Sequence, residues 1–110
     1  MTDGFIYLIQ ANNLYKIGVT KNYNINARLK QLQTANGVEL KLITTFKSKH
    51  PFKLEKRLHR YYKDVRCNGE WFNIDDISNF MEICEENEKI LIALEDNPFF
   101  YKKNKRYNDY

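Results

Sequence analysis

The sequence predicts an α+β fold: a small single-domain α/β sandwich with a mainly antiparallel three-stranded sheet flanked by helices, plus a C-terminal helix. Three observations point to it. The first twenty residues hold two runs rich in β-branched and aromatic residues, "FIYLIQ" (5–10) and "LYKIGVT" (14–20). Later stretches carry apolar residues at steps of three and four, the period of a helix. A chain of 110 residues, 43% hydrophobic and 15% aromatic, has apolar content for one core of modest size.

The elements follow in order. "ANN" (11–13) joins the first two runs as a hairpin turn, because Asn tolerates the positive φ that tight turns demand. In "NYNINARLKQLQTA" (22–35), Asn22 or Asn24 caps a helix with Ile25, Leu29 and Leu32 on one face. "VELKLITTFKS" (38–48) alternates as a third strand, with Val38, Leu40, Leu42 and Thr44 on one side. Pro51 suits the first turn of a helix whose buried stripe is Leu54, Leu58 and Tyr61 or Tyr62. "VRCNGEWFNI" (65–74) reads as a loop leading into a short extended segment. "DDISNFMEICEENEKILIALED" (75–96) opens on capping acids and places Ile77, Phe80, Met81, Cys84 and Leu91 on the inner face of a long helix, ended by Pro98. The organisation is therefore a core over 1–74, an acidic helix over 75–96 packed on it, and a basic aromatic tail over 97–110.

Charge is uneven along the chain. Residues 1–74 carry 13 Lys or Arg against 5 acids, 75–96 carry 1 against 8, and 97–110 carry 4 against 1, so the net +4 conceals a basic body, an acidic segment and a basic tail. A basic body with interleaved aromatics suits a polyanion such as DNA; a solvated lysine-rich surface is the plainer alternative. No stretch approaches the roughly 20 apolar residues of a membrane span, and "MTDGF" lacks the features of a signal peptide, so a soluble intracellular protein is expected, cytoplasmic or nuclear. Cys67 and Cys84 are too few for a four-thiolate zinc site and read as ordinary residues.

Five strings in order, "GFIYLI", "YKIGVT", "RLKQLQTAN", "LEKRLH" and "GEWFNI", resemble the GIY-YIG nuclease superfamily. The likeness is strongest to its compact phage and viral branch, known as the phage open-reading-frame-172 DNA-binding domain or meiotically up-regulated gene 113 type, and covers about residues 4–74. The resemblance implies phosphodiester hydrolysis by a tyrosine on the first strand, an arginine on the first helix and one metal-bound glutamate. Tyr7, Arg28 and Glu55 match these, and Mg²⁺ or Mn²⁺ is the implied cofactor. Two positions depart from the pattern: Lys16 stands where the second motif has tyrosine, and Leu32 stands where a histidine often follows the arginine.

The residues bear on that chemistry directly. Tyr7 is a candidate base if a cation lowers its pKa, and Lys16 on the neighbouring strand is a candidate for that cation. The planar fork of Arg28 can hold two phosphate oxygens. Glu55 is the only acid between Glu39 and Asp64 and lies among seven cations from Lys47 to Lys63. Glu55, His59 and Tyr62 share one helix face, and one carboxylate with several waters is enough for Mg²⁺ though poor for zinc. His59 is open between phosphate donor, proton acceptor and core residue. Trp71 reads as the anchor fixing the end of the Glu55 helix, and Glu70 as a partner of Arg28 or Arg57 or an acid behind the site. Arg28, Arg57, Arg60 and Arg66, with Lys102, Lys103, Lys105 and Arg106 of the tail, are the candidate DNA contacts. Three functions stay open: a metal-dependent DNA endonuclease, a DNA-binding module of the same fold without catalysis, and a protein-interaction domain. Oligomeric state is not legible.

Overall fold

A computed structural model describes residues 3–21, 24–35 and 37–100. Strand β1 (Gly4–Ala11) pairs antiparallel with β2 (Leu14–Thr20), leaving Asn12 and Asn13 as a two-residue turn in which Asn12 takes φ 54°. That is the positive φ for which asparagine is suited. Helix α1 (Ile25–Thr34) follows, and the Asn24 side chain accepts from the Ala27 N–H as its N-cap. Strand β3 (Lys41–Ser48) returns on the other side of β1 and leads into α2 (Pro51–Tyr61), with Pro51 in the first helical turn where no N–H is needed.

The sheet has five strands, not three, in the order β3-β1-β2-β5-β4, every pair antiparallel. The two additional strands, β4 (Arg66–Asn68) and β5 (Trp71–Phe72), lie within the segment read as a loop. Three and two residues are too short for an alternating pattern to register, and their pairing depends on β2, fifty residues upstream. Strand β3 also departs from simple alternation. Its register against β1 shifts between Leu8 and Ile9, so that Leu8 opposes Thr44 and Ile9 opposes Leu42 with Ile43 extra. This bulge puts Ile43 and Thr44 on the same side, Thr44 against Met81 at 3.6 Å, whereas Leu42 packs on the opposite face.

The last helix is shorter than the sequence suggests: α3 spans Phe80–Ala93 and closes with a 3₁₀ turn at Leu94–Asp96. Asp76 accepts from the Ser78 N–H, a local turn that ends before the helix begins. Met81 is 38% exposed, and Ile83 takes the core position instead. The segment read as a tail begins with a core residue, since Phe100 is buried against α2 and α3 residues; Lys102, Lys103, Lys105 and Arg106 lie outside the described residues.

The sheet separates two apolar layers. On one face Ile6, Leu8, Ile17 and Phe72 meet Leu54, Leu58 and Tyr62 of α2 and Phe80, Cys84 and Leu91 of α3. On the other, Tyr7 and Ile9 with Leu40 meet Ile25, Leu29 and Leu32 of α1, and Trp71 joins them. Period-two alternation along β1 and β2 sends neighbours to opposite layers. Burial pushes the Cys84 thiol up to about 12, consistent with a core residue and not a nucleophile. Among the described residues no helix is long and apolar enough to cross a membrane.

One acid holds the junction between β3 and α2. Glu88 of α3, 9% exposed, accepts from the Ser48 hydroxyl at 2.7 Å and from the Lys49 N–H at 2.8 Å, while Ser48 Oγ accepts from the His50 N–H. This clamp sets where α2 starts, and so where its side chains point. Glu88→Ala strands the Ser48 hydroxyl and the Lys49 N–H. A loss of roughly 3 kcal/mol in urea unfolding is expected, and a loss below about 1 kcal/mol would mean that water replaces the carboxylate.

Candidate active site

Strand β2 organises the site. Tyr15, Ile17 and Val19 face α2 and α3, so Lys16 and Gly18 face the α1 side, where Tyr7 and Trp71 lie. Tyr7 stands directly across from Gly18, and a Cβ at position 18 would fall inside the Tyr7 ring. The glycine of "KIG" is thus the space that the tyrosine of "FIY" occupies. Tyr7 is 1% exposed. Lys16 pairs with Ile9 on one side and Trp71 on the other, which makes it a diagonal neighbour of Tyr7 on the same face.

Glu70 reaches this face by way of the β4–β5 turn. Gly69, at φ 56°, lets the chain reverse, and the Ile17 N–H donates to the Glu70 carbonyl at 3.1 Å. The Glu70 carboxylate then meets Lys16 Nζ at 2.8 Å, and Nζ lies over the Trp71 ring, 5.7 Å from its centroid. Glu70 therefore pairs with Lys16, not with Arg28 or Arg57. The two aromatics of "EWF" also divide differently from expectation. Phe72 is the anchor of the Glu55 helix, its ring 5.0 Å from His59 and 6.3 Å from Tyr62, whereas Trp71 packs on the α1 side.

Helix α2 contributes Glu55 and His59, one turn apart. His59 Nε2 donates to the Ile17 carbonyl at 2.9 Å, which assigns that nitrogen its proton and gives the ring a structural task. Its 4.0 Å separation from Glu55 Oε2 is an electrostatic contact, too long for a hydrogen bond. Glu55 Oε2 is buried with no hydrogen-bond partner among the described residues. Burial, then repulsion from Glu70, raises the Glu55 carboxyl to about 7, against the smaller opposing pull of Lys16 and Lys56. The result is a carboxyl that exchanges its proton near neutral pH.

Lys16, Glu55, Glu70 and His59 therefore converge around Ile17, with Tyr7 on the same face as Lys16. Arg28 sits on α1, half-buried, with Nη1 3.4 Å from the Gln31 side-chain oxygen and Nε buried without a partner. Among the described residues it makes no ion pair with Glu55. Leu32 faces the Tyr7 layer as an apolar contact of α1. Arg57, expected along the DNA path, is half-buried and its Nε donates to Asn87 Oδ1 at 2.9 Å, a contact between α2 and α3. Arg60 and Arg66 are exposed, and Arg66 Nε donates to the Gly69 carbonyl at 2.6 Å. Sequence reasoning missed the Lys16–Glu70 pair because its register depends on β5; the adjacency of Glu70 to Trp71 was the available clue.

The hairpin with Tyr7 against Gly18, the α1 arginine and the α2 glutamate lie within residues 4–91, which match the T5orf172 domain. The chain belongs to the T5orf172 domain family. That family sits within the GIY-YIG-like group, and the match runs past residue 74 to take in most of α3. Two proteins of Invertebrate iridescent virus 6 are similar to this T5orf172 chain. One, described as uncharacterized protein 460R, is 29% identical over 98% of this chain and 56% of its own length. The other, described as putative KilA-N domain-containing protein 315L, is 30% identical over 66% of this chain and 34% of its own. The chain thus spans about half of one relative and a third of the other. No solved structure matches it.

The raised Glu55 carboxyl links the site to stability. A group that binds its proton more tightly when folded contributes stability in full below its ordinary value of 4.5, and loses it as pH rises to about 7. Above that, the T5orf172 fold carries an ionised, largely buried carboxylate at a cost. Glu55→Gln should flatten the decline between pH 5 and 8 and be more stable than the wild type at pH 8 by roughly 2–3 kcal/mol. Urea unfolding at the two pH values measures this, and parallel pH dependence in both proteins would refute it.

Proposed function

We propose that this chain binds DNA and hydrolyses its phosphodiester bonds with one hydrated divalent cation, Mg²⁺ or Mn²⁺, held by Glu55. The observation that carries the reading is the buried Glu55 oxygen that has no partner among the described residues, with Lys16 and Lys56 acting on it. An orphaned carboxylate oxygen suits a hard cation that keeps most of its water and adds phosphate oxygens. Among the described residues no group of three or more His, Cys, Asp or Glu is placed to hold a metal, so water and phosphate oxygens would have to complete the cation's shell. Once bound, the cation would supply charge neutralisation and polarise a phosphoryl oxygen.

The chain's own residues take the remaining tasks. Arg28, whose Nε has no partner among the described residues, would hold phosphate oxygens. Lys16 would face the charge that builds on the phosphate, and Tyr7 matches the tyrosine base implied by the family. His59 keeps Glu55 in place by fixing α2 to β2 through the Ile17 carbonyl. Exposed Arg60 and Arg66 would follow the DNA backbone.

Two features favour a second reading, a DNA-binding module without cleavage. Tyr7 is 1% exposed, and the Lys16 charge is already met by Glu70. Supercoiled plasmid separates the two. Under the first reading the protein nicks or linearises plasmid with Mg²⁺ or Mn²⁺ and stops when a chelator is added. Glu55→Ala should then lose at least about 100-fold in rate, while DNA affinity holds or rises because one repulsive charge is gone. Gel retardation without cleavage under any divalent ion would establish the second reading. Wild-type cutting by Glu55→Ala would place the cation elsewhere.

A further inference from the structure

Lys16 is held in an unusual way for a lysine on a strand. Its side chain is 15% exposed, its ammonium lies over the Trp71 ring, and the same ammonium meets Glu70 at 2.8 Å. This ammonium, together with Lys56, pulls on Glu55, while Glu70 repels it. The ammonium is thus in contact with Glu70, while Glu55 Oε2 has no hydrogen-bond partner among the described residues. Glu55 is fixed on a helix, whereas Glu70, 41% exposed beside Gly69, has room to turn.

We propose that the Lys16 ammonium is the resident counter-ion of Glu55 and Glu70, and that a divalent cation binds between those two carboxylates by displacing it. The inference rests on the reading of Glu55 as the cation-holding residue and adds Glu70 as a second oxygen donor with Lys16 as their built-in competitor. A divalent ion can take an oxygen from each carboxylate at once, whereas the ammonium contacts Glu70. One or two carboxylates with several waters is also the usual protein contribution to Mg²⁺. The displaced ammonium, a compact charge on a flexible stem, becomes available to a phosphate oxygen. Lys16 thus lowers the affinity of the free protein for the cation, and a phosphate that draws it away raises that affinity.

Mn²⁺ binding to the full chain without DNA, followed by electron paramagnetic resonance, tests this. Lys16→Met keeps an apolar stem for Trp71 and should tighten Mn²⁺ roughly tenfold or more, the scale of coupling between two ligands of one site. Lys16→Arg should stay near wild type, and Lys16→Met combined with Glu70→Gln should lose most of the gain. Unchanged Mn²⁺ affinity in Lys16→Met would overturn the competition, and undiminished affinity in the double variant would remove Glu70. A second measurement needs no substitution. On titration of the wild type with Mg²⁺, the side-chain carboxyl carbon resonances of Glu55 and Glu70 should shift together with one Kd, and movement of Glu55 alone would refute the shared site. Neither measurement involves cleavage. A protein that binds the cation in this way and leaves plasmid intact would refute the hydrolase reading while supporting this one.

Discussion

Ile17 must satisfy both of its backbone polar groups outside the β1–β2 hairpin, and the arrangement of the site follows from that. Its N–H donates to the Glu70 carbonyl and its C=O accepts from His59. Ile17 is fully buried, so either group left unpaired would cost about 1–3 kcal/mol. Satisfying the N–H brings the β4–β5 turn to the edge of β2 and sets the Glu70 carboxylate against Lys16. Satisfying the C=O brings α2 to the same edge, with Glu55 one turn before His59. Pairing between β2 and β5 covers only Tyr15 and Lys16, which leaves the next part of β2 open to a helix side chain.

The two apolar layers divide the work. The α2–α3 layer holds the fully buried aliphatic and aromatic side chains and the Glu88 clamp, and the order of the molecule rests mostly on it. The α1 layer is smaller, and it is the one that carries Tyr7 and adjoins Lys16, Trp71 and Arg28. Burial of Glu55, with Glu70 nearby, raises its carboxyl to about 7. A sequence selected for stability alone would place an apolar or amide side chain there, because burying a carboxylate without a partner is costly. An acid placed there beside a second acid and a lysine is what the reading of Glu55 as a site residue rests on.

Much of this was legible in the chain. The β1–β2 hairpin, the Asn24 cap, the Ile25–Leu29–Leu32 face and the Leu54–Leu58–Tyr62 stripe depend on spacing within a few residues, and each appears as the spacing implies. Tyr7, Lys16, Arg28 and Glu55 could be named because the motif strings are local. The register of "EWF" could not be read the same way. Two residues of strand have no period of their own, so whether Trp71 or Phe72 faces α2 is set by pairing with β2. The bulge at Ile43 and the burial of Glu88 were hidden for a similar reason: both answer to elements some forty residues away, β1 for the first and the β3–α2 junction for the second.

By itself the sequence determined which residues form strands and helices through most of the chain, because hydrophobic period, caps and turn chemistry act over one or two turns. It also determined the family, through five short strings in a fixed order. Only the tertiary structure decided that Glu70 belongs to Lys16, that Arg57 is spent between helices, that His59 serves a backbone carbonyl, and that Phe72 anchors α2. Each of these joins side chains or backbone groups from different elements. Electrostatics and hydrogen bonding at such joints depend on distances of a few ångströms, which fold-level packing sets and local sequence does not encode.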